Sequence, residues 1–255
     1  MPTQRRRESR TGIYHIIVKG INREKIFYQQ REKLYFKDII LKHLKKYHVE
    51  IYSYCIMSNH AHFIVRAEIQ ILSTFMAAIL AEYASYYNYK HHRNGHVFQN
   101  RFTSECIEDE KYFWTCLRYI HMNPVKAGMI KKPERYKNSS MAEYISETPI
   151  LLHEKAIVMY QKNFSDTKSF VEFHAEKEVE VFDDIPDEVE IQQKELAFLI
   201  AEKMFEEYQL PLLMQVFEEK RIREEYIGQL KRTLKISLRK ARQLCDATMN
   251  YVENK

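Results

Sequence analysis

Two histidines in the segment SNHAHFIV have residue types and spacing that suit metal chemistry. Side chains on a β-strand alternate between its faces, so we expect His60 and His62 to point the same way, with Ala61 turned to the other face. Two imidazoles on one face can bind a single cation. The structural alternative is that one histidine is a hydrogen-bonded core group and the other faces solvent.

A tyrosine and an asparagine form a second candidate pair. Tyr119 and Asn123 are four residues apart on a predicted helix, which puts both side chains on one face near the helix end. The side-chain oxygen of Asn123 can bind a hard cation, and the hydroxyl of Tyr119 is a candidate nucleophile. The chain has 18 tyrosines, so packing is the simpler role for any one of them. Asparagine before proline is also a common helix stop.

The predicted secondary structure has to position these residues. Short β-branched or aromatic runs predict four strands, at residues 13–19, 51–56, 61–66 and 102–107. Apolar residues at helical spacing predict three helices, at residues 32–47, 71–89 and 110–122. The turn-forming Ser58 and Asn59 predict a hairpin, and Pro124 is expected to end the last helix at Asn123. The order β-α-β-β-α-β plus a terminal helix predicts an α+β ferredoxin-like sandwich, with the candidate pair Tyr119 and Asn123 on that terminal helix.

The remainder of the chain differs in composition. Residues 170–190 hold nine acids against one lysine and include Pro186, which predicts an acidic connector and a domain boundary. Residues 191–252 are predicted to be helical apart from a break near Leu210 and Pro211, with nine basic residues between positions 220 and 242. The sequence thus predicts three parts: a catalytic domain at 1–148, the connector at 149–190 and a small all-α module at 191–255.

Charge and composition limit the class of protein. Of 40 lysines and arginines, 24 precede position 148 and 16 follow it, whereas the acids number 14 and 21. The two parts carry about +10 and about −5, which favours nucleic acid as a partner of the N-terminal part. No apolar run is long enough to span a bilayer, no signal-peptide core follows the N-terminal arginines, and no CxxC pair is present. We therefore expect a cytoplasmic protein without a membrane partner.

Four segments resemble, in order and in detail, the signature blocks of the REP-associated tyrosine transposases, members of the single-tyrosine HUH (IS200-like) transposase family. They are TGIYHIIVKGINREKIF (11–27), YCIMSNHAHFIV (54–65), GHVFQNRF (95–102) and LRYIHMNPVKAGMI (117–130). An HxH pair alone is weak evidence, but HxH followed by YIxxNPVKAG is specific. Ser58 stands where the family often has proline, which alters the turn but removes no chemical group.

The resemblance implies a role for each candidate residue. His60 and His62 would be the HUH metal ligands, Asn123 the third ligand and Tyr119 the nucleophile, with Mg²⁺ or Mn²⁺ as the cation. The implied activity is cleavage and joining of single-stranded or hairpin DNA of short palindromic repeats through a 5′-phosphotyrosine intermediate. Such a transesterification can rejoin strands without ATP.

Further DNA contacts are expected from basic residues. The candidates are Arg5, Arg6, Arg7, Arg10, Arg101 and Lys126. The N-terminal arginines could instead form a basic tail with only general affinity for DNA. Residues 234–252 resemble the degenerate helix-turn-helix tails of some of these transposases, without the expected glycine at the turn; the alternative is a solvated basic helix face.

Two other functions remain open at the level of sequence. One is a catalytically silent, domesticated regulator that binds repeat DNA, although the presence of all four candidate site residues argues against it. The other is a metal-dependent hydrolase that uses the histidines and a water molecule, with Tyr119 in a structural role. The sequence also leaves open a monomer or a homodimer, and whether Tyr119 serves the histidines of its own chain.

Overall fold

The computed structural model describes residues 6–99, 101–176 and 186–253. Its four strands are β1 (Ile13–Lys19), β2 (Glu50–Ile56), β3 (His60–Arg66) and β4 (Thr103–Ile107). They form one antiparallel sheet in the order β2-β3-β1-β4. This is the strand order of the ferredoxin-like fold, so the predicted fold class is confirmed. Each strand begins within one residue of its predicted position and ends where predicted.

Helices cover both faces of this sheet. They are α1 (Gln30–Leu44), α2 (Ile69–Lys90) and α3 (Glu110–Lys126). The α1 and α2 helices pack on each other, and the α1 residue Phe36 contacts Phe63 of β3. The α3 helix packs on the opposite face, where Tyr119 contacts His62. Because Phe63 and His62 are neighbours on one strand, their side chains point to opposite faces, and the histidine face is the one that α3 covers.

The predicted end of α3 at Asn123 is wrong, because the helix continues to Lys126 with Pro124 inside it. Proline removes only its own N–H, and the carbonyls around it are bonded by the residues that follow. The N–H of Gly128 donates to Val125, and the N–H of Met129 donates to Pro124, both at 2.9 Å. Gly128 has a φ of 66°, so a glycine-containing Schellman cap stabilises the final turn.

Three more helices belong with the sheet. They are α4 (Met141–Ser146), α5 (Glu154–Asn163) and α6 (Thr167–Ala175), and the compact first unit extends from Met1 to Glu176. The sequence had assigned residues 149–176 to an acidic connector. Instead, Tyr160 and Phe170 are buried in the first unit, while Glu172 and Glu176 face outward. Aromatic burial here outweighs the charge that suggested a linker. Residues 177–185 of that connector lie outside the described residues.

The second unit, Lys177–Lys255, is a separate helical body. It contains α7 (Pro186–Glu207), α8 (Gln215–Glu218), α9 (Lys220–Leu234) and α10 (Leu238–Glu253). The interruption between α7 and α8 includes the predicted break near Leu210 and Pro211. A three-residue turn joins α9 to α10, and Lys235 adopts a φ of 51° where a glycine would be more usual. Among the described helices of the chain, none is long and apolar enough to cross a membrane.

Candidate active site

His60 and His62 lie at the start of β3 and share one face of the sheet. Their ring centroids are 4.9 Å apart, and the ring planes meet at 89°. Both side chains are buried, with 4% and 0% of their surface exposed. The sequence predicted this shared face from the alternation of strand side chains, and the structure brings the two rings into direct contact.

The Nδ1 atoms of both rings have polar neighbours. Nδ1 of His60 lies 2.7 Å from the side-chain oxygen of Asn59. An amide oxygen can only accept a hydrogen bond, so Nδ1 of His60 carries the proton and the lone pair is on Nε2. Nδ1 of His62 lies 3.1 Å from Nε2 of His15 on β1. Both Nε2 atoms are buried. The His60 ring thus has its lone pair on Nε2, and the His62 ring has its lone pair on Nε2 when the proton is on Nδ1.

His15 in turn lies beside an acidic residue. His15 and Glu105 are direct partners in the β1–β4 pairing, and Nδ1 of His15 lies 3.8 Å from the Glu105 carboxylate. Burial raises the pKa of Glu105, but interactions with His15 and Tyr112 outweigh that effect and lower the pKa below its ordinary value. Neither His15 nor Glu105 was predicted from the sequence as a site residue. The sequence of β1, IYHIIVK, does not indicate which residues the neighbouring strands place beside His15.

Tyr119 and Asn123 lie on the same side of α3. The Tyr119 ring is edge-on to that of His62, with 5.7 Å between centroids, and is fully buried. The ammonium group of Lys126 lies 5.1 Å from the Tyr119 ring centroid. Asn123 is 3% exposed, and within the described part of the chain its side-chain nitrogen finds no hydrogen-bond partner. Buried polar atoms in proteins normally have a hydrogen-bond partner. The Asn123 amide group could therefore contact a bound ligand through this end of its side chain.

The donor set fits a hard divalent cation. Turning the Asn123 amide by 180° would exchange its unbonded nitrogen for an oxygen, an atom that Mg²⁺ and Mn²⁺ accept. Two imidazole nitrogens and one amide oxygen leave coordination positions for phosphate oxygens and water. In the described ranges, no group of three or more His, Cys, Asp or Glu side chains is arranged to hold a metal. A site made by His60, His62 and an asparagine contains only two residues of those types.

The turn before His60 is fixed by two loops. The N–H of Gly20 donates to the Asn59 carbonyl at 2.8 Å, and the N–H groups of Ile26 and Phe27 both donate to Ser58 at 2.9 Å. A methyl group at Gly20 would come within 2.3 Å of the Glu24 carbonyl oxygen, so only glycine fits. The segment 20–27 therefore holds the Ser58–Asn59 turn in place.

A second loop, within residues 95–99, forms hydrogen bonds with the backbone on either side of Gly20. The N–H of Ile21 donates to the Val97 carbonyl, and the N–H of Gln99 donates to the Lys19 carbonyl, each at 2.9 Å. Together with the bonds made by Gly20, these contacts join the segments 11–27, 54–65 and 95–102 around the start of β3.

The α3 helix, which carries Tyr119, also contacts α6 and the residues just before α4. Nε2 of His121 lies 2.7 Å from the Ser140 hydroxyl, and Nδ1 of His121 lies 2.9 Å from Nε2 of His174. The N–H of His174 Nδ1 donates to the Phe170 carbonyl at 2.7 Å. Burial lowers the pKa of His121 well below its ordinary value and lowers that of His174 to about 4, so both rings are neutral. Arg118 adds an ion pair with Glu176 at 2.9 Å.

The predicted DNA contacts occupy several places. Arg6 stacks on Phe102 with 3.7 Å between the guanidinium carbon and the ring centroid. Arg7 and Arg10 lie 3.8 and 3.5 Å from the Glu108 carboxylate. The remaining described candidates are Arg101, which is exposed, and Lys126 beside Tyr119. Arg5 lies outside the described residues. Of the described basic candidates, Lys126 is the one in contact with the Tyr119 ring.

Comparison with known proteins gives one family match, within the first unit of the chain. Residues 9–123 match the family model of IS200-like transposases. The matched range contains all four strands, both histidines and the α3 residues Tyr119 and Asn123. The match covers 115 of the 255 residues. It is to the family that the four signature segments resemble.

The chain also resembles a solved structure, that of a REP-associated tyrosine transposase bound to a REP hairpin. The sequences are 21% identical, the match covers 60% of this chain and 92% of the other, and the TM-score is 0.49. No curated protein matches the sequence.

Proposed function

We propose that this protein is a metal-dependent DNA-nicking and strand-joining transposase whose nucleophile is Tyr119. The observation that carries the proposal is the edge-on contact between Tyr119 and His62 in one chain, 5.7 Å between ring centroids. The His60, His62 and Tyr119 rings lie in contact on the α3 face of the sheet, and Asn123 follows Tyr119 by one turn of α3. The match of residues 9–123 to the IS200-like transposase family supports DNA strand cleavage as the reaction.

His60, His62 and Asn123 are the proposed metal ligands. When bound, Mg²⁺ or Mn²⁺ would polarise the scissile phosphodiester and offset the charge that develops on its oxygens. The protein's part is to present two Nε2 lone pairs and one amide oxygen on a rigid strand and a rigid helix. Asn59 fixes the proton of the His60 ring on Nδ1 and therefore keeps Nε2 available.

Tyr119 carries out the covalent step. Its oxygen attacks the phosphorus, the bond between phosphorus and the 3′-oxygen breaks, and the leaving strand takes a proton to become a 3′-hydroxyl. The product is a 5′-phosphotyrosine, and attack by a 3′-hydroxyl on this link restores the phosphodiester and releases Tyr119. The ammonium group of Lys126, 5.1 Å from the Tyr119 ring centroid, is placed to offset negative charge beside the nucleophile.

Single-stranded or hairpin DNA is the proposed substrate, as the resemblance of the four signature segments implies. The excess of basic residues before position 148 supports a polyanionic ligand. Because Tyr119 is fully buried, the side chains that cover it must rearrange before a phosphate reaches its hydroxyl. We propose that DNA binding opens this cover.

A cleavage assay separates this function from the two alternatives. The full-length protein is incubated with labelled hairpin DNA in Mn²⁺ or in EDTA, and bound, cleaved and covalently attached DNA are measured. We expect a denaturant-stable adduct in Mn²⁺ and none in EDTA. Binding without cleavage would instead support the silent regulator. Cleavage without an adduct would support hydrolysis by a water molecule.

A further inference from the structure

We propose that His15 and Glu105 form a positioning relay that fixes the His62 ring with Nε2 toward the metal. The inference rests on the proposed function, since it concerns a ligand of the same cation. Neither residue has a metal-binding role in that proposal. Both would act through His62, His15 directly and Glu105 through His15.

The relay crosses three strands of the sheet. Glu105 on β4 is the register partner of His15 on β1, and His62 on β3 is the register partner of Ile17. His15 and Ile17 are two residues apart, so their side chains share a face and His15 reaches His62 diagonally. The rings of His15 and His62 lie in nearly parallel planes, 17° apart, with 3.1 Å between Nε2 and Nδ1.

The carboxylate sets the proton positions along the relay. A negative charge 3.8 Å from Nδ1 of His15 favours the tautomer with its proton on that nitrogen. Nε2 of the neutral ring then has a lone pair and accepts the N–H of His62 Nδ1. His62 is left with its lone pair on Nε2, the atom that a cation would bind. Without the carboxylate, the opposite tautomers would satisfy the same histidine contact and would put a proton on Nε2 of His62.

The surroundings of His15 favour this role over packing. His15 is 1% exposed and its chain neighbours Tyr14 and Ile16 belong to the buried core. An apolar residue would fill such a position without the cost of desolvating an imidazole. Outer partners of metal-bound histidines commonly fix the ring and its tautomer, and their loss weakens metal binding by about 10–100-fold.

The first test measures Mn²⁺ affinity of the full-length protein without DNA, by electron paramagnetic resonance titration. We expect His15→Leu to weaken binding at least 10-fold. The His15→Gln variant should recover much of the loss, because the amide oxygen accepts from His62 and the amide nitrogen donates to Glu105. The control is His43→Leu, which removes another buried histidine that contacts a carboxylate, 2.8 Å from Glu82 on the opposite face. It should leave the affinity within about twofold.

A second test needs no metal. Long-range proton–nitrogen NMR reports which ring nitrogen of His62 carries the proton, with His62→Gln used to assign the signals. We expect the Nδ1–H tautomer in the wild type and a mixture in His15→Leu and in Glu105→Gln. An unchanged tautomer in both variants, or unchanged Mn²⁺ affinity in His15→Leu, overturns the relay. If the wild type binds no Mn²⁺ but the tautomer shifts as expected, the relay stands and the proposed metal chemistry fails.

Discussion

The Tyr119 ring lies edge-on to the His62 ring at 5.7 Å between centroids, and both residues belong to one chain. Nucleophile and proposed metal ligand can therefore act together without a second subunit. The sequence left this question open, because the family resemblance gives the roles of the residues and says nothing about which chain supplies each of them.

The first prediction follows from this arrangement. An equimolar mixture of Tyr119→Phe and His62→Ala should form no DNA adduct, since each chain lacks one half of its own site. Adduct yield is measured by denaturing electrophoresis, and a mixture of wild type with Tyr119→Phe provides the positive control. Recovery of cleavage in the mixture of two inactive variants would mean that subunits exchange Tyr119.

The second prediction concerns Gly20. A Cβ atom there would lie 2.3 Å from the Glu24 carbonyl oxygen and 3.2 Å from the Asn59 carbonyl oxygen. Gly20→Ala should displace the turn before His60, reduce the free energy of unfolding by about 1–3 kcal/mol and weaken Mn²⁺ binding. Urea denaturation and metal titration measure the two effects.

A matched glycine provides the control for this substitution. Gly228 lies inside α9, where a Cβ would contact only the flexible Arg232 side chain at 3.4 Å. Gly228→Ala should stabilise the protein by about 0.5–1 kcal/mol through helix propensity. If both alanine variants behave alike, the packing around Gly20 does not position the turn.

The third prediction concerns the end of the first unit. A chain that stops after residue 148 lacks α5 and α6, and with them Phe170 and His174, which contacts His121. A chain that stops after Glu176 keeps these helices. We expect cooperative thermal unfolding only from the longer fragment, measured by circular dichroism. Equal unfolding transitions would show that α5 and α6 are dispensable and would support the sequence-based boundary at 148.

The sequence predicts features that depend on a few neighbouring residues better than it predicts contacts between distant segments. Strand positions follow from alternation and from the Ser58–Asn59 turn, which are contained in a few residues. The helix around Pro124 extends further because of a cap that depends on Gly128. Cross-strand neighbours such as His15 and Glu105 depend on sheet register, which no local pattern specifies. The rings of His60, His62 and Tyr119 lie in contact, and the chemical roles of the proposed site residues stay predictions.

The fourth prediction is a pH dependence of stability that arises from the buried pair His121 and His174. The unfolded His174 binds a proton near its ordinary pKa of 6.5, whereas the folded one does so only near about 4. Between these values the unfolded state holds more protons, so this contribution to stability is present at neutral pH and declines as the pH falls from about 6.5 to about 4.

Urea denaturation at several pH values measures this effect. The His174→Gln variant keeps an acceptor for His121, and its proton uptake on unfolding near pH 5 should be lower by about one. The matched control is His48→Gln, because His48 is exposed. An equal slope of stability against pH in the wild type and in His174→Gln would contradict the neutral buried pair.

The most direct test of the account is the identity of the residue that becomes linked to DNA. Full-length wild type, Tyr119→Phe and Tyr52→Phe are incubated with single-stranded hairpin DNA and Mn²⁺, and the adduct is mapped by mass spectrometry. Tyr52 is the control, since it is also buried and its ring packs against Phe113 of α3. We predict a 5′-phosphotyrosine at Tyr119 in the wild type and in Tyr52→Phe, and no adduct in Tyr119→Phe. An adduct on any other tyrosine, or one that persists in Tyr119→Phe, would contradict the central claim.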